Sequence, residues 1–416
     1  MVNCTKHKLD NGLTLLLIRD EWTPMVTINT LWNVGGRDEE EGRTGFAHLF
    51  EHLMFGGTRM NPDYDAVVER LGGESNAFTN NDYTNYYITV PSGYLEEAIR
   101  LEADRMRGIE FSQERLEVQQ KVVTEEYNQR YMNKPYGDVW MLLRPLCYER
   151  SVYRWCTIGA DIEDVAKAKL SEVERFFETY YGPQNATVAI VGNIDTDRAL
   201  RLAKENFENI EPHGVASGEV ASTSRSYVHE PQQVAARRMS VERSVGIDAI
   251  YKAYPMCGRA ESDFVALDAA SDILSNGKSS RLFEHLVKRE KVFAEVNAYV
   301  TGEQGEGLFV FSGKLGDGVS HEEAEAQLDK AVREMRSVKD EELEKVVSKF
   351  AATFTYSHYK AADCAVEACY YDWLGHLEWL NEEPKLYGKL MVADVEKAAA
   401  QYLSPERGNT LYYKKK

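Results

Sequence analysis

The sequence predicts an α/β protein made of two tandem copies of one unit, and three observations carry that prediction. The chain has 416 residues, more than a single hydrophobic core usually organises. Short runs rich in β-branched and apolar residues alternate with longer segments of helical period. The order of those elements then recurs on the far side of a small, polar stretch, residues 212–233, "PHGVASGEVASTSRSYVHEPQQ". That stretch lacks apolar periodicity and reads as a linker between residues 1–211 and residues 234–416.

Taken in order, "LTLLLIRD" and "MVTINTLWNVGG" are strand-like, and the helical "GFAHLFEHLMF" follows and ends at paired glycines. "MNPDYDAVVERLGG" is a short helix with proline near its start and glycines after it. "NAFTNNDYTNYYITVP" alternates small, polar and aromatic residues and suits strands, whereas "YLEEAIRLEADRMRG" onward is mostly helical. "NATVAIVGNID" is an apolar strand ending in a turn. Beyond the linker come a strand in "VGIDAIYKAYP", a long helix in "SDFVALDAASDILS", and a turn and helix in "NGKSSRLFEHLVKRE". Strands in "AEVNAYVTG" and "GEGLFVFSGKL" precede helices through residues 322–402.

Composition excludes several classes of function. The 49 basic and 67 acidic residues leave a net charge of −18, which opposes binding to nucleic acid or to an anionic membrane surface. No run of about 18 apolar residues occurs, so a spanning helix is not expected. The N-terminal "LTLLLI" is too short for the apolar core of a signal peptide, which leads us to expect a cytoplasmic protein; a leader removed beforehand would make it periplasmic. Cys4, Cys147, Cys156, Cys257, Cys364 and Cys369 include no CxxC pair and read as separate thiols.

The chemistry is expected in "HLFEH", residues 48–52. Residues four apart lie one above the other on a helix, so His48 and His52 can direct their imidazoles to one point. Two imidazoles and a distant carboxylate make a three-ligand zinc site with one position left open. Glu51 flanks that face and suits the task of taking a proton. Leu49, Phe50, Leu53, Met54 and Phe55 mark the helix as largely buried, and histidines there could also be core residues. Burying two imidazoles and a carboxylate with no partner, however, costs on the order of several kcal/mol. The third ligand is expected in "EVQQKVVTEEYNQRY", where Val122 and Val123 should press against the core. Adjacent helical side chains differ by about 100°, and local periodicity leaves Glu125 and Glu126 as alternatives.

In "GFAHLFEHLMFGGT", "LGGESNAFTNNDYTNYY", "VVTEEYNQRYMNKPYG", "NATVAIVGNID" and "SNGKSSRLFEHLVKREK" the sequence resembles the pitrilysin/insulinase family of zinc peptidases, over nearly the whole chain. The resemblance implies two homologous domains, each a mixed, mostly antiparallel sheet with helices on one face, forming half of a clamshell chamber. It implies an endopeptidase with one Zn2+ per chain held by His48, His52 and Glu126. Glu126 falls 74 residues after His52, in the V-V-x-x-E place of the family's pattern, with Glu125 as the reserve. Glu51 is implied as general base on the metal-activated water.

Where many members carry a supporting glutamate seven residues before the third ligand, this chain has Gln119, and the nearby Glu117 falls on another face. Asn76, Ala77 and Phe78 match the edge strand that grips an extended peptide by main-chain pairing. Of the arginine and tyrosine that active members use on the substrate carbonyl, Arg289 survives. The tyrosine place holds Glu295 or a neighbour, and Tyr299 is offset. The resemblance therefore implies the zinc-bearing subunit of a two-chain enzyme, paired with a homologous chain or a second copy that supplies an Arg/Tyr pair. The rival expectation is a non-enzymatic or partner-dependent peptide-binding or scaffold subunit of the same fold. His285, in "RLFEHLVKR", has no second histidine and is expected on a helix surface.

Overall fold

A computed structural model describes residues 1–215 and 230–416. Of the expected linker, residues 216–229 lie outside the described residues, and the described ends form neither helix nor strand. The chain forms two compact units.

The first unit comprises Met1–Gln129, Trp155–Val228 and Thr355–Asn381. Its sheet contains β1 (Cys4–Lys8), β2 (Thr14–Arg19), β3 (Met25–Trp32), β4 (Glu74–Thr79), β5 (Thr84–Pro91) and β6 (Ala186–Gly192) in the order β1-β2-β6-β3-β5-β4. β2 and β6 are parallel and every other pair is antiparallel. Every residue of β6 is buried, as expected of a central strand covered on both faces. On one face the Tyr86 ring lies 6.2 Å from that of Phe55, just beyond the motif helix. The other face carries Thr187, which hydrogen-bonds Asp372 of the helix Ala361–Trp373 at 3.3 Å.

The second unit comprises Arg130–Arg154, His229–Phe354 and Glu382–Lys416. Its strands β7 (Arg237–Arg243), β8 (Ala249–Met256), β9 (Phe293–Val300), β10 (Gly307–Leu315) and β11 (Asn409–Lys415) run in the order β7-β11-β8-β10-β9. Here β7 and β11 are the parallel pair, so the pattern repeats β2-β6-β3-β5-β4 strand for strand. Lys252 and Thr410 face a helix layer, where both bond Glu325 of the helix His321–Glu334, at 2.9 and 2.8 Å. From the opposite face Tyr413 donates to Asp138 at 2.7 Å, at the start of the helix Val139–Cys147.

The expected cut at the linker is therefore too simple. Arg130–Arg154 and Thr355–Asn381 each pack with the other half of the chain. A sheet has two faces, and in each unit the main helix layer covers one. The second face is crossed by a single helix from the opposite half: Ala361–Trp373 in the first unit, Val139–Cys147 in the second. All six cysteines are free thiols. Among the described residues no helix is long and apolar enough to cross a membrane.

Candidate metal centre

The motif forms helix α1 (Phe46–Leu53). Its first turn has no side-chain N-cap, because Gly45 occupies that place with φ of +86°. A Cβ there would lie 2.6 Å from Val165 Cγ2 and 2.7 Å from the Ile158 carbonyl oxygen, so only glycine fits. Two backbone donors at the helix start are met from outside. The Glu39 carboxylate, 2% exposed, accepts from the Gly45 and Ala47 amides, both at 2.8 Å. That places a negative charge at the positive end of the helix. Phe46, Ala47, Leu49, Phe50 and Leu53 are buried, and Phe50 stacks on Tyr181 at 4.9 Å between ring centroids. With that side held down, the His48 and His52 rings sit 4.9 Å apart on the adjoining face.

The helices Tyr64–Arg70, α2, and Leu95–Arg107, α3, lead to α4 (Gln113–Tyr127). The Ser112 hydroxyl caps α4 by accepting from the Arg115 amide at 3.2 Å. Leu116 and Val123 are buried, and Glu126, one turn beyond Val123, points the same way. A Glu126 carboxylate oxygen lies 3.2 Å from His52 Nε2 and 3.6 Å from His48 Nε2. The three candidate ligand atoms fall within 4.8 Å of one another, the one such cluster among the described residues.

The neighbouring positions separate clearly. Glu125 is exposed and outside the cluster. Val122, expected against the core, is 42% exposed; the 100° between adjacent side chains gives the core to Val123 alone. Gln119 is half-buried and lines a cavity of about 530 Å³ with Leu53, Gly56 and Arg115. Glu117 faces solvent and accepts from Gln113 at 2.9 Å.

Glu51 is held from the sheet. The Thr79 hydroxyl, at the end of β4, donates to its Oε2 at 2.8 Å. β4 is the edge of its sheet and pairs with β5 alone among the described strands. On it Asn76 is exposed and accepts the Ala77 amide at 2.9 Å. Ala77 and Phe78 are half-buried, with the Phe78 ring 6.0 Å from that of Tyr83.

The remaining expected site residues lie in the second unit. Arg289 is exposed at the end of the π-helical turn Phe283–Arg289, which also carries the exposed His285. Tyr299, on β9, sits edge-on to Trp140 at 6.5 Å, and burial pushes its phenol up to about 12. Glu295 is exposed and pairs with Lys314 at 3.2 Å.

Two of the three donor separations pass a simple test of fit, and the third lies within 4.8 Å. Zinc bond lengths with tetrahedral angles put neighbouring ligand atoms about 3.4 Å apart, and the two separations from Glu126 bracket that value. Two residues had no sequence signal strong enough to single them out. Thr79 ends the "NAFT" run, and Glu39 is one of four consecutive acids in "DEEE".

Comparison with known proteins gives the family and the fold. A family model described as "Insulinase (Peptidase family M16)" matches residues 14–139, and one described as "Peptidase M16 inactive domain" matches residues 167–350. A Helicobacter pylori protein named zinc protease PqqE is 27% identical over 418 aligned positions, covering 98% of this chain and 93% of that one. An uncharacterized zinc protease of Streptomyces coelicolor is 28% identical over 305, covering 72% and 65%. Among solved structures, a protease from Helicobacter pylori superposes with a TM-score of 0.93 at 26% identity, covering all of both chains. The periplasmic protease PqqL from Escherichia coli gives 0.80 at 18% identity, where this chain spans 47% of that one and the likeness is one of fold.

Proposed function

Since the chain belongs to the insulinase, or M16, family of peptidases, we propose that it is a zinc-dependent endopeptidase cutting peptides or unfolded segments. The observation that carries this reading is the convergence of His48, His52 and Glu126 beside Glu51. When bound there, zinc supplies Lewis-acid polarisation and makes water a stronger acid. The chain's own residues do the rest. The imidazoles of His48 and His52 and the Glu126 carboxylate would hold the ion, and β4 would take an extended peptide by main-chain pairing. Glu51 accepts a proton from the water whose oxygen forms the new bond to the carbonyl carbon. It then returns that proton to the amine nitrogen as the C–N bond breaks.

The test is Glu51→Gln. The variant should hold one zinc per chain and lose cleavage of a quenched peptide; retained cleavage removes Glu51 from this role.

We read the chain further as the zinc-bearing member of a pair, with a homologous chain or a second copy supplying an arginine and a tyrosine. Support comes from Tyr299, whose ring packs against Trp140, and from the exposed Glu295 near the place where active relatives carry the tyrosine. Native mass together with peptidase activity, with and without a second chain, checks this. Full activity of a monomer contradicts it. A non-enzymatic scaffold subunit would cut no peptide in any assembly, whereas a partner-dependent peptide-binding subunit would hold zinc and cut only with its partner.

A further inference from the structure

We propose that Thr79 is a positioning residue for Glu51, acting from the strand on which the substrate docks. This rests on the peptidase reading above and adds a residue to it. Side chains alternate along β4. Ala77 stands opposite Tyr86, whose ring faces Phe55 on the helix side of the sheet. Thr79, two residues on, shares that side, and its hydroxyl reaches Glu51 Oε2 at 2.8 Å. Asn76 and Phe78 point the other way.

The hydroxyl is placed by a stiff backbone. Thr79 stands opposite Thr84 at the end of the β4–β5 ladder, and Thr84 donates to the Val34 carbonyl at 2.9 Å. The connecting turn closes through Asn80, whose side chain accepts from the Asp82 and Tyr83 amides, each at 2.8 Å. Its carbonyl oxygens accept from the backbone leading into α1: Gly36 N reaches Asn80 at 3.2 Å and Arg37 N reaches Asn81 at 2.8 Å. Strand end and helix start thus form one framework, and the hydrogen bond spans it.

A glutamate side chain rotates about three bonds, and a proton acceptor works only within hydrogen-bond reach of the proton it takes. One donated hydrogen bond to Oε2 restrains rotation of the carboxylate. Because the donor stands at the end of the docking strand, grip on the substrate and aim of the base share one structural element. Removal of Thr79 should therefore slow turnover and leave binding alone.

The experiment uses the protein isolated from its own cells in its native assembly, as wild type, Thr79→Val, Thr79→Ala and Thr79→Ser. With a quenched peptide, the valine and alanine variants should lose about 10- to 100-fold in kcat, with KM within about 2-fold. Serine, which keeps the hydroxyl, should restore kcat to within a few-fold. Zinc content should stay at one per chain throughout. A crystal structure of the valine variant should show the Glu51 carboxylate displaced from its wild-type position. Unchanged kcat in both valine and alanine variants overturns the proposal alone, as does an unmoved carboxylate. A serine variant as slow as valine, with zinc retained, also overturns it. Failure of the wild-type assembly to cut peptides overturns the peptidase reading and this proposal together.

Discussion

His52 Nε2 and a Glu126 carboxylate oxygen lie 3.2 Å apart, although 74 residues and two further helices separate them in the chain. Buried apolar residues on both helices produce the approach. Phe50 and Leu53 seat α1, Leu116 and Val123 seat α4, and the polar faces are left to meet.

This geometry distinguishes adjacent carboxylates. Glu126→Gln should cut zinc affinity by about 10-fold or more, because it would remove the carboxylate from the His48–His52–Glu126 cluster. Glu125→Gln should leave affinity within about 2-fold, since Glu125 is exposed and outside the cluster. Competition titration against a chromogenic chelator reads both. Equal losses in the two variants contradict the assignment.

The Glu39 cap should matter for both stability and metal. Its buried carboxylate satisfies two amides at the start of α1, and charge-assisted bonds of this kind are worth about 1.5–3 kcal/mol. Glu39→Gln keeps the shape and removes the charge that faces the helix dipole. The variant should lose about 1–3 kcal/mol by urea unfolding and bind zinc less tightly. An unchanged unfolding midpoint contradicts the cap.

How far the sequence reveals this site depends on the range of the contact. The pairing of His48 with His52 is legible because helical period is local, as is the presence of Glu51 beside them. The choice of Glu126 over Glu125 is not, since it depends on how α4 rolls against α1; Val122 misleads for the same reason, looking apolar yet lying 42% exposed. The repeated unit is legible from element order. The two exchanged segments are not, because nothing in "VWMLLRPLC" or "AADCAVEACYYDW" says which sheet each helix covers. β7 escapes notice because "RRMSVER" is charged and lies at a sheet edge, and its parallel partner β11 comes at the far end of the chain. Thr79 and Glu39 act across folded distance and leave no spacing to read.

A pH effect on stability should originate in the second unit. Burial pushes the Asp268 carboxyl up to about 6, against the hydrogen bond that Tyr387 donates at 2.5 Å; Asp272 raises it further and Arg259 opposes. A carboxyl raised in this way stabilises the fold fully below its unfolded value, about 4, and the contribution is lost as pH rises through the folded value. The unfolding midpoint of wild type relative to Asp268→Asn should therefore fall between about pH 4 and pH 6 and level off above. A flat difference across that window contradicts it.

The most direct measurement is anomalous diffraction at the zinc absorption edge from crystals of the protein grown with zinc. One strong peak per chain is expected, at bonding distance from His48 Nε2, His52 Nε2 and a Glu126 carboxylate oxygen, absent in His48→Ala crystals grown the same way. No peak among those three side chains, or an equal peak in His48→Ala, contradicts it.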